Sequence, residues 1–304
     1  MPRFRGWSSR RVLITGASSG IGRALALELA PLGCRLILTG RCATRLAETR
    51  DRLQETRSQR GGATAWPEPV LVAADLTIAE DRARLIEIVA QEFAHGLDLL
   101  IHSAGRGAVG HFETHDPTIL RMLMEINFFA VTELARLALP LLKRGQDPRM
   151  AVIGSIAARR GLPARSEYSA SKFALAGWVE AIRAEWSRYS IGVHLINPGF
   201  TDTPFERNHL VDTAVYSTQR HRTMSAQAVA ARTLRAIQTN RHEVAFTAQG
   251  RLLLLVNRLW PRLVDLGFAR FTRYLYRDHD KASDSPPPST SNLPPTSLAN
   301  RVAS

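Results

Sequence analysis

The sequence predicts an α/β fold, a doubly wound parallel sheet of about seven strands with helices on both faces. Three observations predict it. Short apolar runs, beginning at residues 12–14, alternate along the chain with longer segments of helical period. The first run ends in a glycine-rich turn, Gly16 to Gly22, followed by a helical pattern at Ala24, Leu25, Leu27 and Leu29. The composition, 304 residues with 45% hydrophobic and 22% charged, suits one globular domain with a sizeable core.

Residues 35–39 read as a second strand and close a Rossmann-like β-α-β unit. A helix is expected over 43–53, and 58–69, with Gly61, Gly62 and two prolines, reads as a surface excursion. Further strands are expected at 70–74, 97–101, 150–153, 191–196 and 242–246. Helices are expected at 82–94, 117–142, around Tyr168 and Lys172, and at 226–238. Right-handed crossovers place a ligand beyond the carboxyl ends of such strands. Gly16, Asp75, Gly105, Ser155 and Pro198 all fall there and should converge on one crevice.

The glycines of the first turn let a phosphate approach the backbone, and the free amides at the helix start face it. At the tip of the second strand stand Gly40 and Arg41, with no acidic residue. An acid there would bond the adenine ribose of NAD, whereas an arginine accommodates the 2′-phosphate of NADP. NADP(H) is therefore the preferred cofactor, with NAD(H) as the alternative. Tyr168 and Lys172 are four residues apart on a helix and share one face. A cation beside a tyrosine favours the phenolate and moves its pKa towards neutrality, as proton exchange with an alcohol or ketone requires.

With these motifs the chain resembles the short-chain dehydrogenase/reductase family, over about residues 11–246. The resemblance implies a cofactor loop at Gly16, Ser18, Ser19, Gly20, Ile21 and Gly22, with Asp75 and Leu76 meeting the adenine ring. His102-Ser103-Ala104-Gly105 stands where the family usually has Asn-Asn-Ala-Gly, and Ala104 and Gly105 preserve the close approach to the cofactor. Ser103 is expected to brace the sheet less than an asparagine, and His102 to be packed rather than catalytic. Pro198, Gly199, Thr201 and Thr203 resemble the segment whose threonine, here Thr203, holds the nicotinamide carboxamide. Ser155, thirteen residues before Tyr168, implies the donor that holds the carbonyl oxygen. Lys172 then lowers the Tyr168 pKa and binds the nicotinamide ribose, and Asn127 supports a proton-relay water. The implied reaction interconverts a ketone or aldehyde and an alcohol by hydride transfer, with Tyr168 as general acid/base. The competing reading is a non-catalytic NADP(H)-binding protein of the same fold, governed by cofactor occupancy.

The chain carries 40 basic and 27 acidic residues, a net charge of +13, and only three of the basic residues are lysines. No basic block is interleaved with a nucleic-acid motif, so no nucleic-acid partner is expected. Cys34 and Cys42 are too few and too isolated for a disulfide scaffold or a metal site. Residues 1–10 form an extension without a long apolar segment, so no secretory signal is expected, and a cytoplasmic location is. Residues 11–250 form the catalytic domain, with a lid around 204–224 whose sequence does not name the carbonyl substrate. Beyond Gly250, arginines recur at helical intervals among leucines and aromatics over 251–280, and Pro261 should kink or divide that helix. Residues 251–277 fit either peripheral contact with a membrane surface, which would suit a lipid-like substrate, or packing on the lid or a subunit interface. The resemblance implies a homodimer or homotetramer. The Ser/Pro-rich residues 281–304 are expected to be disordered.

Overall fold

The computed structural model describes residues 4–59, 66–213 and 223–283, with side chains to 274. Seven parallel strands form the central sheet: β1 (Arg11–Thr15), β2 (Arg35–Gly40), β3 (Val70–Ala73), β4 (Leu99–His102), β5 (Arg149–Ile153), β6 (Gly192–Asn197) and, after the short β7 (Thr201–Asp202) and β8 (Met224–Ser225), β9 (Glu243–Ala245). Their order is β3-β2-β1-β4-β5-β6-β9, and β7 pairs with β8 apart from it. The order reverses between β1 and β4, where Val12 pairs with Leu99 and Ile14 with Ile101. A crevice opens beyond the strand ends at such a reversal.

The strands read as continuous apolar runs because both faces are covered. On one face Leu13, Ile37, Leu100, Met150 and Val193 pack with α3 (Ala79–Glu92), α5 (Ala130–Lys143) and α6 (Ser166–Trp186). On the other, Val12, Ile14, Leu36, Leu38 and Ile101 pack with α1 (Gly20–Leu29), α2 (Ala43–Gln59) and α7 (Ala226–Gln238). Alternate residues of β1 thus serve opposite cores, as the period of a strand requires. Within α6, Leu175, Val179, Ile182 and Trp186 recur at helical spacing and face the sheet.

Two expectations need correction. The helix read over 117–142 is α4 (Thr118–Met124), a π-helical turn at Glu125–Phe129 and α5 (Ala130–Lys143). A single-turn widening of this kind often marks a functional site, and this one holds Asn127. The excursion read over 58–69 overlaps the end of α2 and contains Trp66, which is buried in the second core, while residues 60–65 lie outside the described part.

Several arginines are structural rather than solvated. Arg11 forks onto Asp98 at 2.6 and 2.9 Å, and Arg10 and Arg149 share Asp147. These buried pairs tie β1, β4 and β5 together at the end opposite the crevice. The chain before β1 joins them, with the Arg10 guanidinium 4.4 Å from the Phe4 ring centre.

After β9 come α8 (Ala248–Leu259) and α9 (Pro261–Ser283), divided at Trp260–Pro261 as proline demands. The expected tail, 281–304, therefore begins inside α9, and residues 284–304 lie outside the described part. The two helices dock on the loop after β5. Arg160 of that loop bonds Asn257 at 3.0 Å, pairs with Asp265 and lies over Phe268. No helix among the described residues is long and apolar enough to cross a membrane.

Candidate active site

The glycine turn leaves β1 at Gly16, whose φ of +66° suits glycine. A Cβ there would come within 2.7 Å of the Ala104 nitrogen, so the turn lies directly against the end of β4. Thr15 completes the joint: its Oγ1 accepts from the Ser103 and Ala104 amides at 3.1 and 3.2 Å. That backbone clamp supplies bracing at the position where Ser103 replaces an asparagine. His102 is buried, and burial pushes its pKa down to about 3, so it is a packed neutral side chain.

Helix α1 starts at Gly20 with no side-chain cap on its first amides, although Ser19 occupies the N-cap. Ser18 lies against Gly40, and its carbonyl accepts from Arg23, while Ile21 packs partly into the core. Free amides, a positive dipole end and glycine clearance fit a pyrophosphate. A Cβ on Gly20 would stand 3.3 Å from Thr203, so the loop and the 198–203 segment face each other. Gly199 packs on Thr247, and Thr201 Oγ1 donates to the Gly199 carbonyl. Pro198 is buried at the end of β6.

Arg41 is exposed at the tip of β2. Burial, and then the charge of Arg41, hold the Arg106 guanidinium below its ordinary pKa, while Asp75 opposes them, so all three share one field. Asp75 accepts from the Thr77 amide and hydroxyl through Oδ1. Leu76 is different: its side chain is in the core, 5% exposed, so any contact with an adenine falls to its backbone.

Tyr168 lies in the first turn of α6, and Lys172 one turn on. Ser155 Oγ accepts from the Ala157 amide at 3.1 Å, which leaves its proton for donation, and the hydroxyl is near enough to the Tyr168 phenol to favour its ionised form. The Ser155 amide is held by Asn197 Oδ1 at 3.1 Å, across from β6. Gly105 meets Asn127 Oδ1 and Lys172 Nζ, within 2.9 and 3.7 Å of an added Cβ. Asn127 is fully buried; it accepts from the Arg106 amide at 3.0 Å and donates to the Arg106 carbonyl at 2.9 Å and Ser171 Oγ at 3.0 Å. Both of its amide protons are therefore committed to protein. Gly16, Gly105, Ser155, Tyr168, Lys172 and Thr203 do converge on one crevice, with Arg41 and Asp75 at its far end.

A family profile described as short chain dehydrogenase matches residues 10–213. The chain belongs to the short-chain dehydrogenase family. A relative named "Dehydrogenase/reductase SDR family member 7B", from Xenopus laevis, is 32% identical over 240 residues, 77% of this chain and 72% of the relative. A short-chain dehydrogenase/reductase from Burkholderia phymatum, solved in complex with NAD, matches with a TM-score of 0.73 at 23% identity, over 85% of this chain and 96% of its own. One from Burkholderia cenocepacia, in complex with NADP, matches with a TM-score of 0.71 at 24% identity, over 86% and 98%. This family is one of oxidoreductases, and the two solved structures share the fold.

The electrostatics depart from the sequence reading of this family member. Burial raises the Tyr168 phenol above its ordinary pKa; the Ser155 hydroxyl and the Arg165 charge oppose it without reversing the direction. Burial also pushes Lys172 down to about 8. The charge that opposes the rise at Tyr168 is that of Arg165, three residues before it, and sequence reading missed it. It also missed Asn197, Ser171 and Arg106. The spacing of Arg165, one turn before Tyr168, was the available signal; the other three declare themselves only through contacts distant in sequence.

Proposed function

We propose that this protein is an NADP(H)-dependent carbonyl reductase or alcohol dehydrogenase in which Tyr168 is the general acid/base. One observation carries the reading: the Tyr168 phenol lies within reach of the Ser155 hydroxyl, one helical turn from Lys172, beside a glycine cradle shaped for a pyrophosphate. A nicotinamide cofactor bound in that cradle supplies or takes the hydride. The chain's own residues do the rest. Gly16 and Gly22 let the turn close on itself and on the end of β4, Gly20 keeps it clear on the side of Thr203, and the first amides of α1 hold the phosphate. Thr203 faces the same loop and suits the carboxamide end. Arg41, supported by Arg106, favours a 2′-phosphate on the adenosine end.

At the reacting end Ser155 donates to the carbonyl oxygen and stabilises the charge that develops there. Tyr168 then passes its proton to that oxygen. Lys172, buried against Gly105, is placed to bind a ribose and to return a proton to Tyr168. Asn127 fixes Arg106 and Ser171 around this route, and the π-helical turn it occupies offers main-chain groups for a relay water.

Peripheral membrane contact through 251–277 belongs to the same proposal. Leu252, Leu255 and Leu259 of α8, and Leu263 and Leu266 of α9, are each more than half exposed, as are Trp260 and Tyr274. The side of the pair that meets Arg160 is the opposite one. Arginines among exposed leucines and interfacial aromatics suit an anionic lipid surface.

The test of the catalytic reading is Tyr168→Phe. It removes the transferable proton and should reduce NADPH-dependent carbonyl turnover by a factor on the order of 10³ or more. NADPH binding, followed by the nucleotide's fluorescence, should stay within a few-fold of wild type. A Phe variant that keeps its turnover would sink the assignment.

A further inference from the structure

At the substrate end of the crevice lies a buried cation that pairs with no carboxylate among the described residues. Five arginines are buried among the described residues. Arg10, Arg11, Arg82 and Arg149 each pair with a carboxylate. Arg165 does not: it is 8% exposed, and its buried Nη2 has no hydrogen-bond partner among the described residues. Its one described contact of the guanidinium is the face of Phe200, 5.6 Å from Cζ to the ring centre. A buried charge left unpaired is costly, and the fold elsewhere avoids that cost.

The surroundings belong to the reacting site. Phe200 lies in the segment that faces the glycine loop, and Arg165 acts electrostatically on both Tyr168 and His209. His209 stands edge-on to Phe205 at 5.5 Å, and Phe205 is 6.1 Å from the Tyr168 ring. Neither ring nitrogen of His209 has a hydrogen-bond partner among the described residues, although Asp212 Oδ2 is 3.6 Å from Nδ1. Burial, then Arg165, hold its imidazole below the ordinary pKa, against the opposing charges of Asp212 and Glu206. Asp212 is itself more than half exposed, so its field is screened where that of Arg165 is not. Leu162, Leu210 and Val211 pack with Tyr168 and make the rest of this wall apolar.

We propose that Arg165 is the receptor for a carboxylate on the substrate, so that the protein acts on an oxo acid, or the matching hydroxy acid, with an apolar body. The proposal rests on the carbonyl-reductase reading and names its substrate class. A guanidinium fork matches a carboxylate in two parallel hydrogen bonds, and stacking on Phe200 holds the fork in plane before the ligand arrives. The neutral His209 ring offers a further donor. The carboxylate takes no part in the bond changes: hydride passes from NADPH to the carbonyl carbon, Tyr168 protonates the oxygen, and NADP⁺ and the hydroxy acid leave.

The test compares kcat/KM for 9-oxononanoate and its methyl ester, with NADPH, in the wild type, Arg165→Met and Arg165→Lys. The acid-to-ester ratio cancels any change in Tyr168 reactivity caused by removing a neighbouring charge. The wild type should favour the acid by roughly 10–100-fold, chiefly through KM, the worth of one charge-assisted pair. The ratio should fall to about one in Arg165→Met and be retained in part by Arg165→Lys. A wild-type ratio at or below one, or a ratio that Arg165→Met leaves unchanged, overturns the proposal. Calorimetric titration of the NADPH-loaded wild type with nonanoate and with nonanol requires neither turnover nor a folded variant. Preference for nonanoate supports the carboxylate site, and equal or tighter binding of nonanol overturns it. Nonanoate preference without turnover of either carbonyl would remove the reductase reading and leave the anion site standing.

Discussion

Lys172 donates a hydrogen bond from its ammonium to the Ile153 carbonyl oxygen at 3.2 Å and stands 5.8 Å from the centre of the Tyr168 ring. The two share a helix face, as their spacing requires, but the ammonium is anchored to β5 rather than to the phenol. Its buried position then governs both protons. Burial raises the phenol and lowers the ammonium to about 8. Carbonyl reduction consumes a proton that Lys172 is placed to replace, so it needs the charged lysine. The rate of reduction should hold at lower pH and fall as pH climbs through about 8, while alcohol oxidation rises over the same interval. Rates of NADPH oxidation measured from pH 6 to 10 check this; a reduction rate flat to the alkaline end would contradict it.

The same shift predicts a stability effect. A lysine whose folded pKa is depressed from 10.5 to about 8 leaves the folded state binding fewer protons than the unfolded chain between those values. Stability therefore rises with pH across that window, and below it the buried charge is a cost, ~3 kcal/mol for a shift of this size. Lys172→Met removes the charge and keeps the stem. In the protein without cofactor, the variant should unfold at higher denaturant than wild type at pH 7, and the gap should narrow towards pH 10.5. Denaturation at four or five pH values measures it. A variant less stable than wild type at pH 7 would mean that the bond to Ile153 outweighs desolvation.

The strands and the catalytic helix were legible because their signals are local. A strand covered on both faces is an unbroken apolar run, and Tyr168 and Lys172 declare a common face through their spacing alone. Gly16 and Gly22 were legible for the same reason, since a strand, a glycine turn and a helix follow one another directly. What the sequence hides is set by partners far along the chain. Asn197 is 42 residues from the Ser155 amide that it holds, and nothing in its neighbourhood signals the bond. Trp66 looks like part of a surface excursion until α2 and the sheet close over it. The wide turn at Asn127 breaks no apolar period, and the residue it presents to the Arg106 amide lies 21 residues further along the chain. Arg165 is the sharpest case: its meaning lies in the absence of a carboxylate partner among the described residues, which only the folded surroundings can reveal.

Asn127 gives a prediction that separates positioning from general packing. Asn127→Leu removes its three hydrogen bonds and leaves the partly buried amide and carbonyl of Arg106 without these partners. Each such group costs about 1–3 kcal/mol, so the melting temperature should fall by on the order of 10 °C. Ser171→Ala removes only one of the partners; its Oγ also donates to the Tyr168 carbonyl, and the loss should be roughly 1 kcal/mol. Thermal unfolding of the two variants side by side checks the ranking. A leucine variant as stable as the alanine variant would show that the Arg106 bracket contributes little.

The last prediction concerns α8 and α9. These helices pack against the loop that follows Ser155 through Gly250, Asn257 and Asp265, while their leucines point outward: Leu252, Leu255 and Leu259 on one helix, Leu263 and Leu266 on the next. If that outer face lies on lipid, the full chain should float with vesicles containing anionic lipid. Binding should weaken steeply as salt is raised, because the arginine contribution is screened within about 8 Å at 0.15 M salt. Leu255→Asp with Leu263→Asp, two exposed positions that support no described packing, should abolish flotation without shifting the melting temperature by more than about 2 °C. Ending the chain at Gly250 should abolish it too, but would also strip Arg160 of Asn257 and Asp265, so the double aspartate variant is the cleaner test. Flotation unaffected by the aspartates would exclude lipid as the occupant of that face. A concentration-dependent change in the wild type's mass that the aspartates reverse would assign the face to a second copy of the chain instead.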